Sequence, residues 1–175
     1  MLDLPLHPIA VHFPIVLGAI LPLLGFLLWW AIRKEHLEPK VWILVAVLAF
    51  SYAASATVAA ELGEDDEEKV EKVVAEDVIE EHEEAAEMVP WIGGTLFLLS
   101  LGGLWRKHPD RFRLGLAVLS LAALIPLGNA GHTGGKLVYQ YGAANVHLNP
   151  EAKAMVQSGN FYVEREHSEH ENEDD

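Results

Sequence analysis

Nine histidines are spread over 175 residues, and four of them stand where apolar runs meet polar ones. His7 and His12 lie in LHPIAVHFPI, His82 in EEHEEAAE, and His132 in GNAGHTGGKLVY. Neutral imidazole ligates the iron of b-type haem and also Zn, Cu or non-haem Fe, so imidazoles gathered in one place would support redox or metal chemistry. His12 is flanked by Val11 and Phe13, and apolar surroundings favour the neutral, ligating form. Gly128, Gly131, Gly134 and Gly135 strip side chains from the stretch around His132, which lets a helix or a flat cofactor approach. The candidate cofactor-binding residues are therefore His7, His12, His82, His132, Gly131, Gly134 and Gly135. The four histidines are the candidate metal ligands, with His12–His132 and His7–His82 as the expected pairings. Glu81, Glu83 or Glu84 could complete a non-haem site, although EHEEAAE has no second histidine at HExxH spacing. His36 and His108 fall in basic loops, His147 has no companion motif, and His167 and His170 sit in an acidic tail; all five read as solvated.

Positioning these groups falls to four apolar runs: 11–32, 41–60, 88–105 and 114–130. Each approaches the ~20 apolar residues that a membrane-crossing helix requires. A chain in hydrocarbon must satisfy its own backbone, so helices are expected throughout. The first run follows MLDLPLHP, which lacks a basic n-region, and ends at Arg33-Lys34 without a small-residue cleavage site; a retained span is expected. Pro8 predicts His7 as a helix cap. The glycines near His132 predict that the fourth span ends near Asn129, with KLVYQYGAANV lying along the surface. The fold class is all-α: a four-helix transmembrane bundle, residues 1–148, with an acidic amphipathic helical extension on its outer face and a disordered acidic tail at 149–175.

Charge sets the orientation. Hydrophobic residues make up 51% of the chain although its formal net charge is −14, because apolar and acidic residues occupy separate blocks. The loops RKEHLEPK and RKHPDRFR hold seven of the twelve basic residues, which places both in the cytoplasm and both termini outside. Trp29, Trp30, Trp42, Trp91 and Trp105 near span ends fit an interfacial belt. Residues 61–87 carry 14 Asp or Glu against Lys69 and Lys72, with Val70, Val73, Val74, Val78 and Ala85 at helical spacing. That acidity argues against nucleic acid and favours a basic partner. Absence of cysteine excludes disulfides, Cys-ligated zinc and Cys-held iron–sulfur clusters within the chain.

The opening LHPIAVHFPIVL and the closing GHTGGKLVYQYGA resemble the domain-of-unknown-function 2231 family of small bacterial membrane proteins, over roughly residues 4–146. The resemblance implies a multi-pass protein of the bacterial inner membrane and assigns it no activity. Helix count and histidines are also similar to small b-type cytochrome bundles.

Taken together, the sequence favours a haem b electron carrier at the outer face, serving a basic redox protein. A non-haem Zn, Cu or Fe site is one alternative. A non-catalytic membrane subunit, in which the histidines bond across helices and the acidic arm docks a basic partner, is another; a transporter is weaker. Ser/His/Asp, Cys/His and P-loop patterns are lacking, so a carrier is expected rather than an enzyme. The lipid bilayer is an expected partner, and the spans leave room for a homo-oligomer. Ser51, Ser55, Thr57, Thr95, Ser100 and Ser120 read as helix-packing hydroxyls.

Overall fold

Long apolar runs with few charges leave the backbone one way to pair its polar groups, and the chain folds accordingly. The computed structural model describes residues 5–104 and 110–159. Its helices are α1 (His7–Ala10), α2 (His12–Arg33), α3 (Ile43–Val70), α4 (Glu76–Gly102), α5 (Asp110–Ala122), α6 (Leu124–Tyr139) and α7 (Pro150–Ser158). Short 3₁₀ turns cover Pro39–Trp42 and Ala143–His147, and the described residues contain no strand. Four helical segments are long and apolar enough to cross a membrane: His7–Arg33, Pro39–Val70, Glu76–Gly102 and Asp110–Tyr139. α2 packs on α3 and α5, and α4 packs on α3 and α6, which makes a four-membered bundle.

Small residues set how closely the helices approach. A Cβ at Gly93 would stand 2.9 Å from the Cα of Ala53, so α3 and α4 meet nearly backbone to backbone there. A Cβ at Gly18 would stand 2.8 Å from Leu127 and 3.0 Å from the Tyr52 ring, which draws α2 toward α3 and α6. Tyr52, Leu21, Ala49, Val89 and Leu96 form the buried core that results.

The basic end is closed by groups expected at the surface. Trp42 is fully buried rather than interfacial, and its Nε1 donates to the Ser100 carbonyl at 3.2 Å. Arg113, expected in a solvated loop, is buried as well. Its Nε and Nη2 donate to the Gly103 carbonyl at 3.0 and 2.9 Å, and its guanidinium lies 5.7 Å from the Trp42 ring centre. A C-terminal helix carbonyl needs such a donor, and arginine can supply two N–H groups to it at once. Trp105, Arg106, Lys107 and His108 lie outside the described residues.

Three expectations about segment ends require correction. The fourth span is interrupted at Ala123, between α5 and α6, where Pro126 cannot donate to the carbonyl of Ala122. It does not stop near Asn129 despite its glycines: α6 runs to Tyr139, held by the buried side of Ala130, Thr133 and Leu137. The acidic stretch is two helix ends rather than one helix. α3 extends through Val70, the chain turns, and α4 begins at Glu76. Val74, Ile79, Leu137 and Ala143, with Val70 and Val78 beside them, form a second small core that seats this hairpin on the end of α6. The segment expected as a disordered tail opens with α7, where the Asn149 side chain accepts from the Ala152 amide at 2.8 Å as an N-cap. His167 and His170 lie outside the described residues. The span hydroxyls bond to carbonyls three or four residues back in their own helices, as Thr57 does to Ala53 at 3.1 Å, and none of those six bonds crosses to a neighbouring helix.

Gly93→Val should destabilise the bundle by about 1–3 kcal/mol, because the added atoms meet backbone. Gly94→Ala, with nothing within 4 Å, should leave stability unchanged or raise it by up to about 1 kcal/mol. Thermal unfolding of both variants in detergent checks the pair.

Candidate functional site

The polar end of the bundle is built from helix that has outrun its apolar stretch. The apolar part of α4 begins near Met88, so His82 and its glutamate neighbours stand beyond it, level with the last turns of α3 and the start of α1. His7 is the first residue of α1 rather than its cap; the N-cap is Leu6, one position earlier than expected. Its Nδ1 donates to the Ala59 carbonyl on α3 at 2.7 Å. The ring lies against Gly63, where a Cβ would come within 3.1 Å of Nδ1.

His82 bonds in the other direction across the bundle, its Nδ1 lying 3.0 Å from Thr133 Oγ1 on α6. The Thr133 hydroxyl lies 3.2 Å from the Asn129 carbonyl and 3.1 Å from the Ala130 carbonyl. A hydroxyl has one proton to give, and once it goes to a carbonyl the oxygen accepts from the imidazole. Both histidines are thereby assigned the Nδ1–H tautomer. Gly134 makes the room for this, since a Cβ there would stand 3.0 Å from the His82 ring. The two rings meet edge to face with centroids 6.2 Å apart. His7 thus ties α1 to α3, His82 ties α4 to α6, and their contact joins the two halves. Beside them Lys136 pairs with Glu81 at 2.8 Å on the rim.

Of the four candidate ligands the structure brings together His7 and His82. His12 and His132 are both exposed and have no contact with that pair, so the His12–His132 pairing is not formed. A helix carries its side chains around the full circle, and His12 falls on the side of α2 away from the bundle axis, as His132 does on α6. Gly134 serves the His82 ring, whereas Gly131 and Gly135 have nothing within 4 Å. Among the described residues no three His, Asp or Glu converge as a metal would require.

The fit of a haem can be tested on this packing. Chemically the donors suit it, since two neutral imidazoles are the axial set of a b-type haem. Sterically they do not, because the two rings touch each other and are backed by Gly63 and Gly134, which leaves no slot for a macrocycle between them. A cavity of about 10 Å³, enough for one water, lies among Leu21, Gly25, Trp42 and Ser120, and none of the four histidines lines it.

The fold and both end motifs can now be set beside known proteins. The pattern of DUF2231, described as a predicted membrane protein, matches residues 3–147. The chain belongs to the DUF2231 family. No curated protein and no solved structure matches it. The match takes in His7, His12, His82 and His132, and so the whole imidazole clasp lies within the DUF2231 region.

Sequence reasoning found His82 and missed Thr133, its partner. The available signal was the spacing His132-Thr133-Gly134, which puts a hydroxyl beside a gap on a helix already marked by glycines.

Burial holds the His82 pKa below its ordinary 6.5, with the neighbouring His7 acting in the same direction and a bond to the Ala130 backbone opposing them. The folded protein thus resists a proton that the unfolded chain accepts. The stabilisation is complete above about pH 6.5 and is lost as pH falls through the lower folded value. Thermal unfolding midpoints measured from about pH 8 down to 5 should show this acid-side fall, and His82→Asn should flatten it. Thr133→Val, which keeps the shape and removes the acceptor, should cost about 1 kcal/mol at neutral pH.

Proposed function

We propose that this DUF2231 protein is a non-catalytic membrane subunit whose acidic helical hairpin docks a basic protein on the non-cytosolic side of a bacterial inner membrane. The hairpin carries the reading. Residues 61–87 hold 14 acidic side chains against two lysines, and they are presented on two packed helices with a small core of their own. Ordered like charge on an exposed surface raises the local potential, steers an oppositely charged partner and discriminates against acidic ones. Lys69 is occupied by Asp66 at 2.9 Å, and Lys136 by Glu81, so the basic groups nearby are partly spent. The basic loop residues at the other end of the bundle support the orientation.

The imidazoles fit the same reading, since His7 and His82 serve as helix-to-helix bonds that fix the base of the hairpin. A haem-linked electron carrier, which the sequence favours, would need the clasp opened or His12 and His132 turned inward; this packing lends it no support.

The test is co-purification from native membranes in mild detergent at low and high salt. Expected is a partner with a lysine- or arginine-rich face, retained at low salt, released as salt screens the pair, and lost when Glu68, Glu71, Glu76 and Glu84 are changed together to Gln. A partner that stays bound to the neutralised hairpin, or no salt-sensitive partner at all, overturns the reading. An absorption spectrum of the same preparation reads out any haem independently.

A further inference from the structure

The basic end of the bundle holds more hydrogen-bond donors than it has acceptors for. Gly25 of α2 packs on Ala117 of α5, where an added Cβ would stand 3.2 Å from the alanine Cβ. As parts of the first and fourth crossings, α2 and α5 run antiparallel. Four residues from that contact toward the basic end, Trp29 therefore comes level with Arg113. Trp42 joins them, since it lines the same small cavity as Gly25 and Ala117.

Arg113 is only 4% exposed and carries five N–H groups. Two of them go to the Gly103 carbonyl, and the remaining three have no acceptor among the described residues. Its charge is unmatched too, because Asp110 in the first turn of α5 forms no ion pair with it. Trp29 adds a second unmet donor: its Nε1 is buried and has no hydrogen-bond partner. A buried donor without an acceptor, like a buried charge without a counter-charge, costs free energy until the missing partner is supplied. Arg33, exposed and one turn nearer the rim, stands over the Trp29 ring at 5.6 Å. Guanidinium on indole thus occurs twice at this end, the other case being Arg113 on Trp42 at 5.7 Å. Stacking orients each guanidinium and leaves its edge free to bond in plane. Among the described residues here, Arg33, Lys34, Lys40, Arg111 and Arg113 stand against Glu35, Glu38 and Asp110, and Glu38 is held by Lys40 at 2.7 Å.

We propose that the basic end binds a phosphate group between α2 and α5, with Arg113 as the buried fixed charge and Arg33 closing over it from the rim. Phosphate supplies several acceptor oxygens at once, and the arginine fork matches their geometry. An anionic lipid headgroup and a free phosphate ion both present that chemistry. The segment ends at Arg33 and Pro39 set the site at headgroup depth, where basic pockets between spans take lipid phosphates. The site lies at the far end of the bundle from the acidic hairpin and stands independently of the docking reading above.

The test is a titration of the full chain in an uncharged maltoside detergent, which brings no phosphate of its own, followed by tryptophan fluorescence and thermal unfolding. Phosphatidylglycerol is the probe in one arm and inorganic phosphate in the other, each against chloride at equal ionic strength. Saturable binding that raises the unfolding midpoint is expected. Phosphatidylglycerol acting alone assigns the site to a lipid headgroup, and inorganic phosphate acting with or without the lipid assigns it to phosphate itself. Arg33→Gln, a change at an exposed side chain, should weaken binding by about tenfold. Arg113→Gln should abolish it, and Arg33→Gln carries the test should that variant not fold. Arg111→Gln, which removes an exposed charge from the first turn of α5, should bind as the wild type does. Failure of both probes to bind the wild type overturns the proposal. So does unchanged binding by Arg33→Gln, or an Arg111→Gln variant weakened as much as Arg33→Gln, since the attraction would then belong to the basic rim in general.

Discussion

A polar group carried into hydrocarbon must be satisfied by the protein itself, and that constraint arranges this molecule from one end to the other. In the middle of the bundle the hydroxyls of Ser51, Ser55, Thr57, Thr95, Ser100 and Ser120 return to their own helices, because three- and four-residue spacing always offers a carbonyl. With those groups silenced, close approach is left to glycines and alanines such as Gly18, Gly93 and Ala53. Among the described residues, side-chain polar bonds between helices then lie at the two ends, from Arg113 and Trp42 at the basic end and from His7, His82 and Lys136 at the acidic one.

The number of spans was legible because a run such as 11–32 is too long and too apolar for any soluble helix. Segment ends were less so. Glycines at 128, 131, 134 and 135 predict an early stop, since helix propensity counts each of them against the helix. Packing overrides it, because Gly134 is where His82 fits and Thr133 and Leu137 are buried. The break at Ala123 did have a signal in Pro126. Arg113 and Trp42 look like interfacial residues by type, and only the fold shows that the Gly103 and Ser100 carbonyls draw them inward.

The site was half legible for a geometric reason. Topology fixes which helix ends share a membrane face, and so it correctly put four histidines at one end. It does not fix rotation about each helix axis, and that angle separates His82, turned toward Thr133, from His12 and His132, turned away. Hydrophobic periodicity normally supplies the angle, yet α2 is apolar nearly all round, as a helix facing both lipid and core must be. The polar partner would have to be recognised instead, and a lone threonine among glycines is a faint sign.

What the acidic end does follows from combining imidazoles with carboxylates in one layer. Fourteen like charges on two adjacent arms repel, and in open water such a segment would stay unfolded. Here the arms cannot separate freely. Below they continue α3 and α4, which meet at Gly93, and above they are pinned by Val74 and Ile79 against Leu137. Repulsion is held between two apolar anchors, so packing rather than charge pairing keeps the arms together. Burial and the nearby His7 lower the His82 pKa, so its imidazole is a poor source of positive charge to relieve the repulsion. The enclosure that makes His82 a firm clasp thus also denies the acidic arms a counter-charge.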